Sequence, residues 1–422
     1  MTPSSTSPRP GSPRVHQVLA TLSYGDAIGH EVLGIQRVLR GAGYESDIFV
    51  ETADRRLEPV TRDYRELVDA SHPDNLLLHH FSIGSKASRT AYALPDRMAL
   101  VYHNITPPEY FVGVHRTLAR QCFRGRRELR AYIDRSEVAL GDSEFNRLDL
   151  DHLGFPRTAV LPVVPDFSHL DRPANPFVAR QFDDDWTNIL FVGRVIANKK
   201  IEDVIRIFHA YHTRINPRSR LLIVGVFSLF ERYLAALNHL VATLELEHVH
   251  FTGHVSDEEL VAYYQVADLF LCASAHEGFC VPLVEAFYMN VPVLAYAATA
   301  VPATLDGGGV LFDDKDPMHV ATLLDAIVSD RQVESAILAR QDAALGRLRA
   351  RDFGGTLLRA VESVLTPPRL GYGRVAFDFW EQFDAAEALE ALRLDRPSLG
   401  KALPQGDTDP GRRSLLAGLS RP

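Results

Sequence analysis

Short apolar runs alternate with loops and amphipathic segments through most of this chain, and the cycle breaks once, at a proline-rich stretch, before it restarts. Residues 16–22 form a β-rich apolar run, and the loop 23–30 after it carries Gly25 and Gly29. Residues 31–40 have helical periodicity that Gly41 and Gly43 end, and 46–51 begins a second strand. This order makes a βαβ unit with a glycine loop at the carboxyl end of its first strand. Further strands are expected at 75–79, 98–103 and 138–141. Residues 161–176 hold Pro162, Pro165, Pro173 and Pro176 and read as a linker. Beyond it come strands at 188–192, 221–225, 249–252, 269–273 and 291–296, with helices at 201–212, 230–244, 257–265 and 283–289 between them. Parallel strands need a crossover helix, so this alternation implies parallel sheets. The expected fold class is α/β: two doubly wound, Rossmann-like domains facing each other across a cleft. Open sheets of this kind take ligands at the carboxyl ends of their strands.

At 422 residues, with 46% hydrophobic and 23% charged residues, the chain is long enough for two separate cores. No apolar run approaches the roughly 18–20 residues that span a bilayer, and residues 1–13 lack the apolar centre of a signal peptide, reading as a disordered lead-in. Cys122, Cys272 and Cys280 give neither a disulfide framework nor a paired metal-ligand spacing. These features place the chain in the cytoplasm, and a net charge of −9 argues against general nucleic-acid binding. Arg116, Arg120, Arg124, Arg126, Arg127, Arg130 and Arg135 crowd one helical stretch. They make either a solvated face or a basic patch turned to an anionic acceptor or to the inner face of a membrane. After residue 366, Phe379, Phe383, Ala386 and Leu389 form a helical stripe among acids. It suits packing on the body or on a second subunit in a homodimer. Residues 397–422 read as a disordered tail.

Chemistry concentrates in two loops. His276–Glu277–Gly278–Phe279–Cys280–Val281 links an expected strand to a buried helix that carries Glu285. Backbone N–H groups at such a helix start suit an anion, while the two acids suit hydroxyls on either side of it. A sugar nucleotide has that pattern; a surface loop and a helix face are the plainer alternative. The strand 188–192 ends in Gly193–Arg194, with Lys199 and Lys200 close behind. Gly193 allows close backbone approach, and two cations at this strand end suit the charge developing on a diphosphate leaving group.

Together, Gly193–Arg194, Lys199 and the Glu277…Glu285 pair resemble the retaining glycosyltransferases of family 4, which have the GT-B fold. The resemblance runs from about Val15 to Thr366. It implies an N-terminal acceptor-side domain at 14–165, a linker at 166–178 and a donor-nucleotide-binding domain at 179–366, followed by a helical extension at 367–396. It also implies roles. Arg194 with Lys199 or Lys200 would bind the donor diphosphate, Glu277 the transferred sugar and Glu285 the ribose. Gly29, Gly193, Gly278, Phe279, Cys280 and Val281 would approach the donor, with backbone near His254 and Val255 meeting the base. His103 would reach the transferred sugar, and Asp26, His80 and Asn104 would face the acceptor.

The implied reaction moves a sugar from a nucleoside-diphosphate sugar to a hydroxyl-bearing saccharide or lipid-linked acceptor. It proceeds with retention and needs neither a cofactor nor a catalytic metal, and its usual setting is polysaccharide, lipopolysaccharide or glycoconjugate synthesis. The leaving phosphate takes the acceptor proton, so no strong base is required. A catalytically silent sugar-nucleotide-binding scaffold, or phosphorolysis or epimerisation on the same fold, is the alternative. Lys200 and Cys280 stand where glycines are usual in that family, and Cys280 reads as a small packing residue rather than a reactive thiol.

Overall fold

The computed structural model describes residues 13–366 except 24, 26 and 164. Asp26, residues 1–12 of the expected lead-in, the 367–396 extension and the 397–422 tail lie outside these described residues.

The first sheet contains β1 (Val15–Leu22), β2 (Ile48–Ala53), β3 (Arg62–Asp63), β4 (Leu76–Phe81), β5 (Arg97–Tyr102), β6 (Val138–Gly141) and β7 (Thr158–Val160), in the order β3-β2-β1-β4-β5-β6-β7. The second contains β8 (Thr187–Val192), β9 (Ser219–Val224), β10 (Val249–Gly253), β11 (Leu269–Cys272), β12 (Val293–Tyr296) and β13 (Val310–Phe312), in the order β10-β9-β8-β11-β12-β13. Neighbouring strands pair parallel throughout both sheets. Helices cover both faces, so β4, β5 and β9 are buried at every position and read as continuous runs of mostly apolar residues. The doubly wound α/β architecture expected from the alternation is therefore what the chain adopts.

Strand order reverses between β1 and β4 in the first sheet and between β8 and β11 in the second. A crevice opens at such switch points, because the connections on either side leave in opposite directions. The loops after β5, β8 and β11 border these crevices, and they carry the residues singled out above.

Several boundaries differ from expectation for local reasons. The first helix runs Ala27–Gly41, so Gly29 lies in its first turn and not in the preceding loop. The helix carrying Glu285 runs Val281–Tyr288, with Pro282 in its first turn, where a missing N–H costs nothing. Ser143 caps the helix Glu144–Leu153 by accepting the Asn146 N–H, and Gly154 ends it at φ 98°.

The arginine run divides. Arg116 and Arg120 are exposed. Arg126 donates to the Ile105 carbonyl at 2.6 Å, and buried Arg135 donates to the carbonyls of Tyr92, Leu94 and Asp96. These last two belong to neither a solvated face nor a membrane-facing patch, because they satisfy backbone groups that burial has removed from water.

The last described helix, Phe353–Leu365, returns to the first sheet. Leu357, Val361 and Val364 share a core with Val15, Ile35, Leu76 and Val101. Among the described residues no helix is long and apolar enough to cross a membrane.

Candidate functional site

The loop after β8 and the loop after β11 are stitched together. Asn198 Nδ2 donates to the His276 carbonyl at 3.0 Å, and the Ala275 N–H donates to the Asn198 carbonyl at 2.9 Å. Thr299 fixes the second loop from behind: it accepts the Glu277 N–H at 2.8 Å and donates to the Glu277 carbonyl at 3.0 Å. In this frame Lys199 Nζ meets both Glu277 oxygens, at 2.6 and 2.8 Å. Burial alone would depress the ammonium pKa, but the Glu277 charge outweighs it and holds the pKa above its ordinary value. Lys200 turns away. It sits at φ 54° at the start of the helix Ile201–Arg214, 3.3 Å from Glu202 and over the Tyr110 ring. Of the two lysines, Lys199 is the one at Glu277. Arg194 is exposed on the same loop.

Two glycines show how closely these segments approach. A Cβ on Gly225 would lie 2.0 Å from the Gly193 carbonyl oxygen. A Cβ on Gly278 would lie 3.1 Å from the His103 carbonyl oxygen and 3.2 Å from the Asn104 Cβ, so this loop presses against the first half of the molecule.

Glu285 is already engaged: it accepts from Tyr264 OH at 3.0 Å and pairs with His169 Nε2 at 3.1 Å. Burial opposes the charged form of His169, yet the Glu285 hydrogen bond prevails and raises its pKa. His169 also lines a cavity of about 280 Å³ together with Gly29, His30, Arg37, Asp166 and Arg172. His254 is exposed just beyond β10, and Val255 beside it is half-buried.

On the other side, the expected histidines form a buried chain. Gln17 Nε2 donates to the Val32 carbonyl, which turns Gln17 Oε1 toward His80 Nε2 at 2.9 Å and makes that nitrogen the protonated one. His80 Nδ1 then accepts from His103 Nε2, also at 2.9 Å. His103 Nδ1 faces Glu31 Oε2 and Asp142 Oδ2, each at 3.7 Å. Burial pushes the Glu31 carboxyl up to about 7 and raises Asp142, while it drives the His80 imidazole well below its usual value. Asp142 accepts from Asn146 Nδ2, Asn146 Oδ1 accepts from Asn104 Nδ2 at 2.6 Å, and Asn104 Oδ1 accepts from His276 Nε2 at 2.8 Å. The chain therefore runs from β1 to the residue beside Glu277.

In this chain the His103 side chain is only 1% exposed, and His80 stands behind it with both ring nitrogens engaged. His79 is a core residue, bonded to Ser88 and packed on Tyr132. Sequence reading assigned no role to Glu31, Asp142, Asn146, His169, Tyr264 or Asn198. Two of them carried a signal, since Asp142 and Asn146 begin the turn and helix after β6. Glu31, His103 and Asp142 place ligand atoms within 4.8 Å of one another, as do Cys272, Glu277 and Cys280. Linear spacing conceals the first group because its members come from three separate elements.

Comparison with known proteins bears on this arrangement. Residues 174–341, which include the second sheet, match the family described as glycosyl transferases group 1. The O-antigen chain mannosyltransferase B of Escherichia coli is 24% identical over 309 residues, covering 71% of this chain and 74% of that protein. The mannosylfructose-phosphate synthase of Agrobacterium fabrum is 34% identical over 122 residues, 28% of this chain and 27% of that one. In fold the chain is similar to Anabaena HepE, solved in complex with UDP-glucose, with a TM-score of 0.66, 16% identity and coverage of 83% of this chain and 99% of that one. The second half thus resembles a glycosyl transferases group 1 domain, and the two sheets form a GT-B fold.

Proposed function

We propose that this protein is a retaining, metal-independent glycosyltransferase. It moves a hexose from a nucleoside-diphosphate sugar to a hydroxyl of a saccharide or lipid-linked acceptor, in building a polysaccharide, lipopolysaccharide or glycoconjugate. The observation that carries this reading is the Lys199–Glu277 pair, held at the adjoining carboxyl ends of β8 and β11 inside a glycosyl transferases group 1 domain. An ammonium has three donors, and Glu277 takes two of them. The third serves a donor phosphate, with Arg194 alongside. Glu277 in turn accepts from a hydroxyl of the sugar being moved, and Glu285 from the ribose once His169 yields to it.

As the bond between the sugar's anomeric carbon and the phosphate oxygen breaks, charge builds on the diphosphate and the two cations stabilise it. The acceptor oxygen bonds to the anomeric carbon from the same face, and its proton passes to the leaving phosphate. His103 and Asn104 border the acceptor side, with His80 setting the His103 tautomer. Mannose is the first sugar to test, because one relative is named a mannosyltransferase and another is named for a mannosyl product.

The test is release of nucleoside diphosphate from UDP- and GDP-hexoses in the presence of saccharide acceptors, with and without EDTA. The anomeric configuration of the product is read by NMR. Acceptor-dependent release, retention and indifference to EDTA are expected. An inverted product, or full turnover in Glu277→Ala, would sink the reading.

A further inference from the structure

Cys272 closes β11 and is buried, while Cys280 is half-buried just before the helix Val281–Tyr288. The loop between them doubles back and brings both sulfurs within 4.8 Å of each other and of a Glu277 oxygen. Cys280 completes that reversal in the left-handed conformation, at φ 75° and ψ 71°, which L side chains other than Asn and Asp seldom adopt. A divalent cation is a poor occupant of this cluster, because Lys199 already binds both Glu277 oxygens at 2.6 and 2.8 Å. The same ammonium lies close enough to act on both thiols and favours a thiolate, against the Glu277 carboxylate, which opposes one.

We propose that Cys272 and Cys280 are a redox-active pair that hydroperoxides convert to a disulfide, and that the linked state displaces the Glu277 loop. The hydrogen bond between the two thiols favours the thiolate on Cys272 and leaves the proton on Cys280, against the burial and the Glu277 charge that oppose ionisation of either, so Cys272 acts as the nucleophile. The Cys272 thiolate attacks one oxygen of the hydroperoxide. The O–O bond breaks, and the departing alkoxide or hydroxide takes the Cys280 proton as an alcohol or water. The Cys280 thiolate then attacks the Cys272 sulfenic sulfur, the S–S bond forms, and hydroxide leaves to take a solvent proton. Two thiols and one hydroperoxide thus give one disulfide, one alcohol or water, and one further water.

A disulfide needs its sulfurs about 2.05 Å apart, and Glu277 and Gly278 lie in the loop that the bond closes. Gly278 in that loop is packed against His103 and Asn104, so closing the loop disturbs Glu277 through its immediate neighbour. The gating consequence rests on the glycosyl-transfer reading; the disulfide does not.

Reduced full-length protein is treated with hydrogen peroxide, capped with iodoacetamide and cleaved after glutamate. Cleavage at Glu277 puts the two cysteines on different peptides. The expected result is a linked peptide pair and a loss of nucleoside-diphosphate affinity of roughly tenfold or more, both reversed by dithiothreitol. In Cys272→Ser and in Cys280→Gly the ratio of affinities before and after peroxide stays near one. Capped thiols at both positions after peroxide, an oxoacid without a link, or thiols protected by bound zinc would overturn the disulfide. A linked protein with undiminished affinity would overturn the gating. Should the reduced protein bind no nucleoside diphosphate, the glycosyl-transfer reading fails by itself, while the peptides still decide the disulfide.

Discussion

Asn104 Oδ1 accepts a hydrogen bond from His276 Nε2 at 2.8 Å, and this contact joins the two halves of the molecule one residue from both His103 and Glu277. Burial lowers the His276 pKa to about 4, so the ring stays neutral at ordinary pH and the bond persists. The bond thus fixes the distance between the loop after β5 and the loop after β11.

Removing that bond should loosen the site more than the fold. His276→Ala leaves the Asn104 carbonyl without its donor, a loss of about 1–3 kcal/mol for a buried group. Turnover should fall by about tenfold, with a smaller change in donor KM, because the two sides lose their register. Nucleoside-diphosphate release assays and thermal melts check both parts. An unchanged kcat would show that the contact is only structural.

The Lys199–Glu277 pair should be strongly coupled. Either single truncation strands a buried charge, which typically costs about 3–5 kcal/mol. The double variant Lys199→Met with Glu277→Gln strands none, and should be less destabilised than the sum of the singles by more than about 1 kcal/mol. Urea unfolding of the four proteins measures this coupling. Glu277→Gln should also lose on the order of 10²-fold in turnover while remaining folded.

Stability should respond to pH through Glu31. With its carboxyl raised from 4.5 to about 7, the native state binds more protons than the unfolded one between those values, so stability falls as pH rises through that window. The loss is on the order of 3 kcal/mol once Glu31 is fully ionised. His276 acts oppositely: its contribution is complete above 6.5 and disappears as pH falls toward about 4. Glu31→Gln should therefore abolish the decline toward pH 8 and leave the acid-side loss in place. Denaturant titrations at pH 5, 6.5 and 8 would reveal a persisting decline if another group is responsible.

The two lysines should separate cleanly. Lys200 occupies a left-handed position, so Lys200→Gly should stabilise the protein by about 0.5–1 kcal/mol. Its effect on nucleoside-diphosphate affinity should stay within about threefold, whereas Lys199→Ala should weaken binding by about tenfold or more, as for a lost charged hydrogen bond. Calorimetric titration of both variants distinguishes them, and equal losses would contradict the assignment.

The alternation of strands and helices was legible because each strand is a short apolar run with a polar loop behind it. Segments such as 188–192 and 257–265 need little tertiary help to be recognised. Very short edge strands escaped: β3 has two residues and β7 three, too few to show any period. Within the site, the charged loop residues stood out, since Gly193–Arg194 and Glu277–Gly278 each put a charge beside a glycine just past a buried strand. Glu31 did not. It lies on a helix face that looks amphipathic in one dimension, and only the fold reveals that this face points at His103. His169 was hidden for a similar reason, because a histidine in a proline-rich linker gives no hint of a carboxylate 116 positions later.

The return of the helix Phe353–Leu365 to the first sheet means that the two halves are tied at two crossings, one near 161–176 and one just before Phe353. Two tethers make a door hinge where one would make a ball joint. They favour rotation about a single axis and suppress twist and sliding, so any opening of the cleft would return His276 to the same partner. They also order the birth of the molecule. A ribosome must deliver some 350 residues before Leu357 and Val361 can join Val15, Ile35, Leu76 and Val101 in the core of the first sheet.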